Sequence, residues 1–156
     1  MSSTRNDLPL SVRQSVIEVL NATLATAIDL ALSAKQAHWN VRGPTFFSLH
    51  ALFDQVAAEA TGWADDLAER AVQLGGVADG TAATVASRSK LGAYPAATGD
   101  GHLAVIVDRL AAFAAQARAA IERSGQAGDA VTSDLFTSIT AGADKQLWMA
   151  EAHVKG

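Results

Sequence analysis

Apolar residues recur at spacings of three and four over most of the chain, the period of a helix rather than a strand. Leu20, Leu24, Ala27, Ala31, Ala34 and His38 form one such stripe. The helix that carries it opens at a capping-box pattern, Ser11 with Gln14, and stops near Asn40 because Gly43-Pro44 cannot continue it. Thr45 is the expected N-cap of a second helix over 46–74, closed by Gly75-Gly76. Glycines and a proline punctuate 75–100, with a short helix expected over 81–87. A third long helix covers 101–123 and turns Leu103, Val107, Leu110, Ala114, Ala117 and Ile121 inward. The segment SGQAGD (124–129) reads as a loop. A last helix covers 130–153, with Leu135, Ile139, Leu147 and Ala150 apolar and Gly142 as a local weak point.

A short first turn, a long middle connection and a short last loop describe a four-helix bundle with one crossover. The expected class is therefore all-α, a ferritin-like four-helix bundle with a short helix in the long crossover between helices two and three. Loop lengths alone leave other four-helix proteins open. Residues 1–10 read as a short N-terminal tail and 11–156 as a single domain.

Composition narrows the chemistry. The 156 residues suffice for a substantial core, and 49% are hydrophobic against 18% charged. There is no cysteine, so disulfides and thiolate metal sites are excluded. Any metal must be held by His and carboxylates, a donor set that suits iron, zinc or manganese. The net charge of −4 is no footprint for nucleic acid. Arg5 is the sole cation before Arg13, and the C-terminus offers only Lys155. Neither a signal peptide nor a membrane span is read from the sequence, so a cytoplasmic location is expected.

The candidate site lies on the second helix. His50 and Glu69 are symmetric about a point between Glu59 and Ala60, and so are Asp54 and Asp65. At ~100° per residue all four fall within about a quarter turn of one face. Along the axis, however, Asp54 and Asp65 are roughly 16 Å apart, too far to share a metal. An antiparallel copy related by a two-fold axis at that midpoint would bring Glu69 of the partner subunit to His50, and the partner's Asp65 to Asp54. Ala58 and Thr61 flank the axis and are small enough for close approach. The face carries no Lys or Arg, and neighbouring carboxylates repel unless a cation lies between them. A solvated acidic face with an incidental histidine is the alternative. Spacing leaves His38 open, as a hydrogen-bonded core residue or a ligand. No Glu is followed three residues later by His, so the common intra-bundle di-iron pattern is absent.

AKQAHWNVRGPTFFSLHALFD (34–54) and DDLAERAVQLGGVADGT (65–81) resemble the signature of the Dps family, the mini-ferritins. Weaker echoes are YP (94–95), HL (102–103) and DKQLW (144–148). The resemblance implies a hollow dodecamer with ferroxidase centres at two-fold interfaces. Such a shell oxidises Fe(II), preferring hydrogen peroxide, and stores Fe(III) inside. It also implies the ligand set: His38, His50 and Asp54 from one subunit, Asp65 and Glu69 from the other. Trp39 then reads as an electron donor beside the centre, or as packing at the dimer interface. Asp129 and Asp134 read as the lining of an entry pore, or as acidic residues favoured at a helix N-terminus. His102 and His153 are expected at the surface or an interface.

Two rival readings stand beside the ferroxidase. One is a nucleoid-associated, DNA-compacting protein with incidental metal sites. The other is a shell whose site holds zinc or is inactive. The acidic charge disfavours the first, so DNA binding is expected to be weak or absent.

Overall fold

A computed structural model describes residues 1–154; Lys155, counted above among the terminal cations, lies outside them. It contains five helices: α1 (Leu10–Asn40), α2 (Phe46–Gln73), α3 (Ala82–Arg88), α4 (Gly101–Ala127) and α5 (Ala130–Glu151). Cross-helix pairs give their directions. Arg13 reaches the carbonyl of Leu74 while His38 meets His50, so α1 and α2 are antiparallel. Arg109 bonds Ser33 and Gln116 bonds the Ala22 carbonyl, so α4 also opposes α1. Ser133 reaches the Ile121 carbonyl and Arg118 pairs with Asp144, so α5 opposes α4. Helices α2 and α4 therefore run the same way, and the crossover between them must return along the bundle. This is the expected ferritin-like arrangement, with α3 in the crossover.

The core explains which apolar positions mattered. Leu20, Leu24, Leu30, Phe53, Leu67, Leu110, Phe113, Phe136 and Ile139 are all buried. Trp63 stacks on Phe113 with ring centroids 5.4 Å apart. A Cβ at position 142 would lie 3.0 Å from the Trp63 ring, so Gly142 sacrifices helix propensity to seat the indole. Contrary to expectation, α1 is long and apolar enough by composition to cross a membrane, although more than half of that stretch is buried in the bundle. Its polar residues hold the crossover instead. Asn21 donates to the Val77 carbonyl and accepts from the Asp79 N–H, Asp29 accepts from Ser89, and Thr26 accepts from the Lys90 N–H. Buried Arg109 completes the seam, with Ser33, the Gly92 carbonyl and Asp29 around its guanidinium and Tyr94 under it.

Three helix ends differ from the sequence reading. Helix α1 begins at Leu10 behind Pro9, with no side-chain cap. Ser11 thus lies inside it, and the capping box with Gln14 does not form. Proline fixes φ where the first turn needs it and lacks an N–H that would go unpaired anyway. The segment before it lies along the bundle, where the Ser2 N–H donates to the Gly75 carbonyl. Thr45 does occupy the N-cap of α2, but its side chain makes no capping bond. Helix α4 runs through most of the expected loop to Ala127. Its true stop is Gly128, at φ 95°, a left-handed conformation that favours glycine. Gly125 inside the helix costs only about 1 kcal/mol against Ala, which packing on α5 absorbs.

Candidate metal centre

The turn between α1 and α2 sets two imidazoles face to face. His38, in the last turn of α1, and His50, near the start of α2, stack with centroids 3.6 Å apart. Each ring closes on the other's backbone. His38 Nδ1 lies 2.8 Å from the His50 carbonyl, and His50 Nδ1 lies 2.9 Å from the His38 carbonyl. A carbonyl only accepts, so both Nδ1 atoms must donate. The His38 carbonyl is one that a helix end leaves without an intrahelical partner. With Nδ1 protonated in the neutral ring, both Nε2 lone pairs remain free, the orientation in which histidine meets a metal.

One turn along α2, Asp54 is 58% exposed and accepts from Lys35 Nζ at 2.7 Å. That hydrogen bond and the ammonium charge hold its carboxyl below the usual range, with smaller contributions from His38 and His50. Asp54 is therefore an ionised carboxylate beside two imidazoles. The same ammonium lies 6.0 Å from the centroid of Trp39, whose side chain is 67% exposed.

Asp65 and Glu69 are exposed on the same face of α2 and make no side-chain hydrogen bond or ion pair among the described residues. At ~1.5 Å per residue Glu69 lies roughly 28 Å from His50 along the axis. Among the described residues, no three His or carboxylate groups of one chain are grouped to hold a metal. Between the two pairs runs an apolar groove of about 670 Å3, lined by Ile28, Leu32, Ala57, Ala58, Thr61 and Ala64, with Lys35 and Asp54 at its head. Thr61 and Ala64 also line the next hollow, which includes Asp65 and continues to Ala68.

The other expected site residues are dispersed. Asp129 is 1% exposed and caps α5. Both its oxygens accept from Arg70, at 3.0 and 3.1 Å, and its carboxylate also takes the Thr132 N–H and hydroxyl. Burial alone would raise its pKa, but the Thr132 bonds and the Arg70 guanidinium outweigh it and hold the carboxyl low. Within the chain Asp129 thus acts as a helix cap and ion-pair partner, while Asp134 is exposed. His102, expected at the surface or an interface, is 3% exposed within the chain and bonded to the Tyr94 hydroxyl at 2.7 Å. His153 is exposed and bonds the Met149 carbonyl.

Sequence reasoning missed Lys35. The helical wheel was drawn on α2 alone, and Lys35 approaches from α1, three residues before His38. That spacing places the two on one face of α1, the signal that could have found it.

Fold and donor set together define a ferritin-like, carboxylate-rich bundle, and comparison with known proteins agrees. The chain matches the Ferritin-like domain family over residues 17–156. A DNA protection during starvation protein of Agrobacterium fabrum is 45% identical over 154 residues, covering 97% of this chain and 95% of its own. The solved structure of Mycobacterium smegmatis Dps in its tetragonal form matches with TM-score 0.93 at 29% identity, covering 100% of this chain and 95% of that one. Dps from Vibrio cholerae O1, described as a member of a broad superfamily of ferritin-like diiron-carboxylate proteins, matches with TM-score 0.91 at 26% identity, over 99% and 98% of the two chains. The chain belongs to the Dps family.

Proposed function

We propose that two copies of the chain, antiparallel about an axis between Glu59 and Ala60, build two ferroxidase centres. Each centre takes His38, His50 and Asp54 from one subunit, with Asp65 and Glu69 of the partner subunit. The observation that carries this reading is the His38–His50 interlock. It aims two Nε2 lone pairs beside an ionised Asp54 at the head of a groove, while Asp65 and Glu69 stand uncommitted on the same face.

The donor set suits iron as substrate. Carboxylates favour the harder Fe(III) product, and two imidazoles moderate the hold on Fe(II). Two Fe(II) held close supply the two electrons that one peroxide needs: 2 Fe(II) + H2O2 + 2 H+ give 2 Fe(III) + 2 H2O. Pairing the electrons avoids releasing hydroxyl radical. Trp39, exposed and adjacent to His38, is placed to donate an electron if only one iron is bound. The assembly is a hollow homododecamer that stores the Fe(III) product. It protects DNA by removing iron and peroxide, since twelve chains of net charge −4 repel a polyanion.

The test is anaerobic addition of Fe(II) followed by peroxide, monitored by Fe(III) absorbance. Two irons should be oxidised per peroxide, with zinc inhibiting as a redox-inactive substitute. A protein that oxidises no iron faster than buffer would overturn the reading. Tight gel-shift binding of DNA at low salt without magnesium would overturn the claim that protection needs no DNA contact.

A further inference from the structure

Lys35 lies within the proposed centre without being a ligand. Its ammonium sits 2.7 Å from Asp54 Oδ1, on the carboxylate assigned to iron, and its stem lines the head of the groove. A cation cannot take that oxygen while the ammonium holds it. We propose that Lys35 is a resident counter-ion of the metal centre, occupying Asp54 until iron displaces it. This rests on the reading of a shared centre given above.

Two physical consequences follow from the placement. Closing the two-fold interface gathers three carboxylates, Asp54 with the partner's Asp65 and the partner's Glu69, around each pair of imidazoles. Without a cation they repel each other, so an empty interface needs an internal positive charge. Lys35 is the cation that the chain brings to Asp54. It therefore favours assembly before metal arrives, and it opposes metal binding afterwards.

Displacement is feasible because Lys35 holds Asp54 by a single contact to one oxygen, on a flexible stem that can swing away. The displaced ammonium also has somewhere to go. The open face of Trp39 lies 6.0 Å away, within cation–π range. A carboxylate held by both oxygens and by further donors, as Asp129 is by Arg70 and Thr132, could not be exchanged in this way. Lys35 thus lowers the affinity for divalent metal at the Asp54 position, and iron is taken up only where supply exceeds that threshold.

The test uses readouts that a merely structural lysine would move together. Co(II) reports site occupancy by visible absorbance without turnover, and sedimentation in EDTA reports metal-free assembly. Lys35→Gln should bind Co(II) about five- to tenfold more tightly than the unmodified protein. Its metal-free assembly should dissociate at several-fold higher protein concentration. Lys35→Arg, which keeps the charge, should restore assembly and bind Co(II) no more tightly than the unmodified protein. Unchanged or weaker Co(II) binding by Lys35→Gln would overturn the proposal while leaving the shared centre standing. If the unmodified protein binds no Co(II) that His50→Ala abolishes, the shared centre itself fails and Lys35 has no role.

Discussion

Asp54 and Asp129 are both ion-paired aspartates, paired through opposite ends of the α1–α2 unit, yet they hold their charges in different ways. Asp54 has one contact, from a lysine, and most of its surface is open. Asp129 is sealed in, gripped by both oxygens through Arg70 and again through Thr132. A compact ammonium on a flexible stem leaves its partner free to change cations, whereas a guanidinium that reaches both oxygens through Nη2 and the Thr132 hydroxyl through Nε fixes geometry. One carboxylate is available to a metal. The other is spent on fastening α2 to α5.

The largest test of that contrast is Arg70→Ala. It leaves a buried carboxylate with Thr132 alone, and should destabilise the chain by about 3 kcal/mol in chemical denaturation. A loss no larger than that of a surface substitution would show that Asp129 is not held as described. Glu69→Ala, one residue away, should do the reverse. Glu69 is exposed and unbonded, so unfolding should shift by less than about 0.5 kcal/mol. Iron oxidation should fall on the order of 100-fold, the upper end of what losing even a group that supports a ligand costs.

Acidification gives a smaller effect in two stages. Burial lowers the His102 pKa from 6.5, so the unfolded chain takes up that proton first. Its contribution is complete above about pH 6.5 and is lost as the pH falls toward the folded value. The Asp129 carboxyl is likewise depressed, below 3.8. Its contribution is present above about pH 4 and disappears as the pH falls through the folded value. The unfolding temperature should therefore drop modestly as the pH falls below about 6.5 and again below about 4. His102→Phe should remove the first stage alone, and a first stage that survives would assign it elsewhere.

Much of this was legible in the chain because helical period is local information. The stripes on α1, α2, α4 and α5 are apolar where the bundle is buried, and the mirrored residues share one face of α2. What escaped is non-local. Ser11 looked like a cap because the alternative, Pro9 with its neighbours packed against the end of α2, needs a partner distant in sequence. Residues 124–129 read as a loop because the packing on α5 that keeps 124–127 helical is invisible along the chain. No stretch read as a membrane span, yet α1 is apolar enough by composition, and its polar residues bind the crossover. Spacing could not bring His38 to His50; the resemblance implied it, and the α1–α2 turn accomplishes it. Lys35 escaped because a wheel drawn on one helix omits what its neighbour contributes. His102 escaped because Tyr94, which covers it, lies in the crossover.

The central claim is that neither copy holds a complete centre alone. Mixing His50→Ala subunits with Asp65→Asn subunits and reassembling them tests it directly. In a mixed pair one centre carries both defects and the other carries none. Each parent should be nearly inactive, and an equal mixture with verified exchange should recover about one quarter of the unmodified iron-oxidation rate. A verified mixture no more active than its parents would contradict a centre built by two chains.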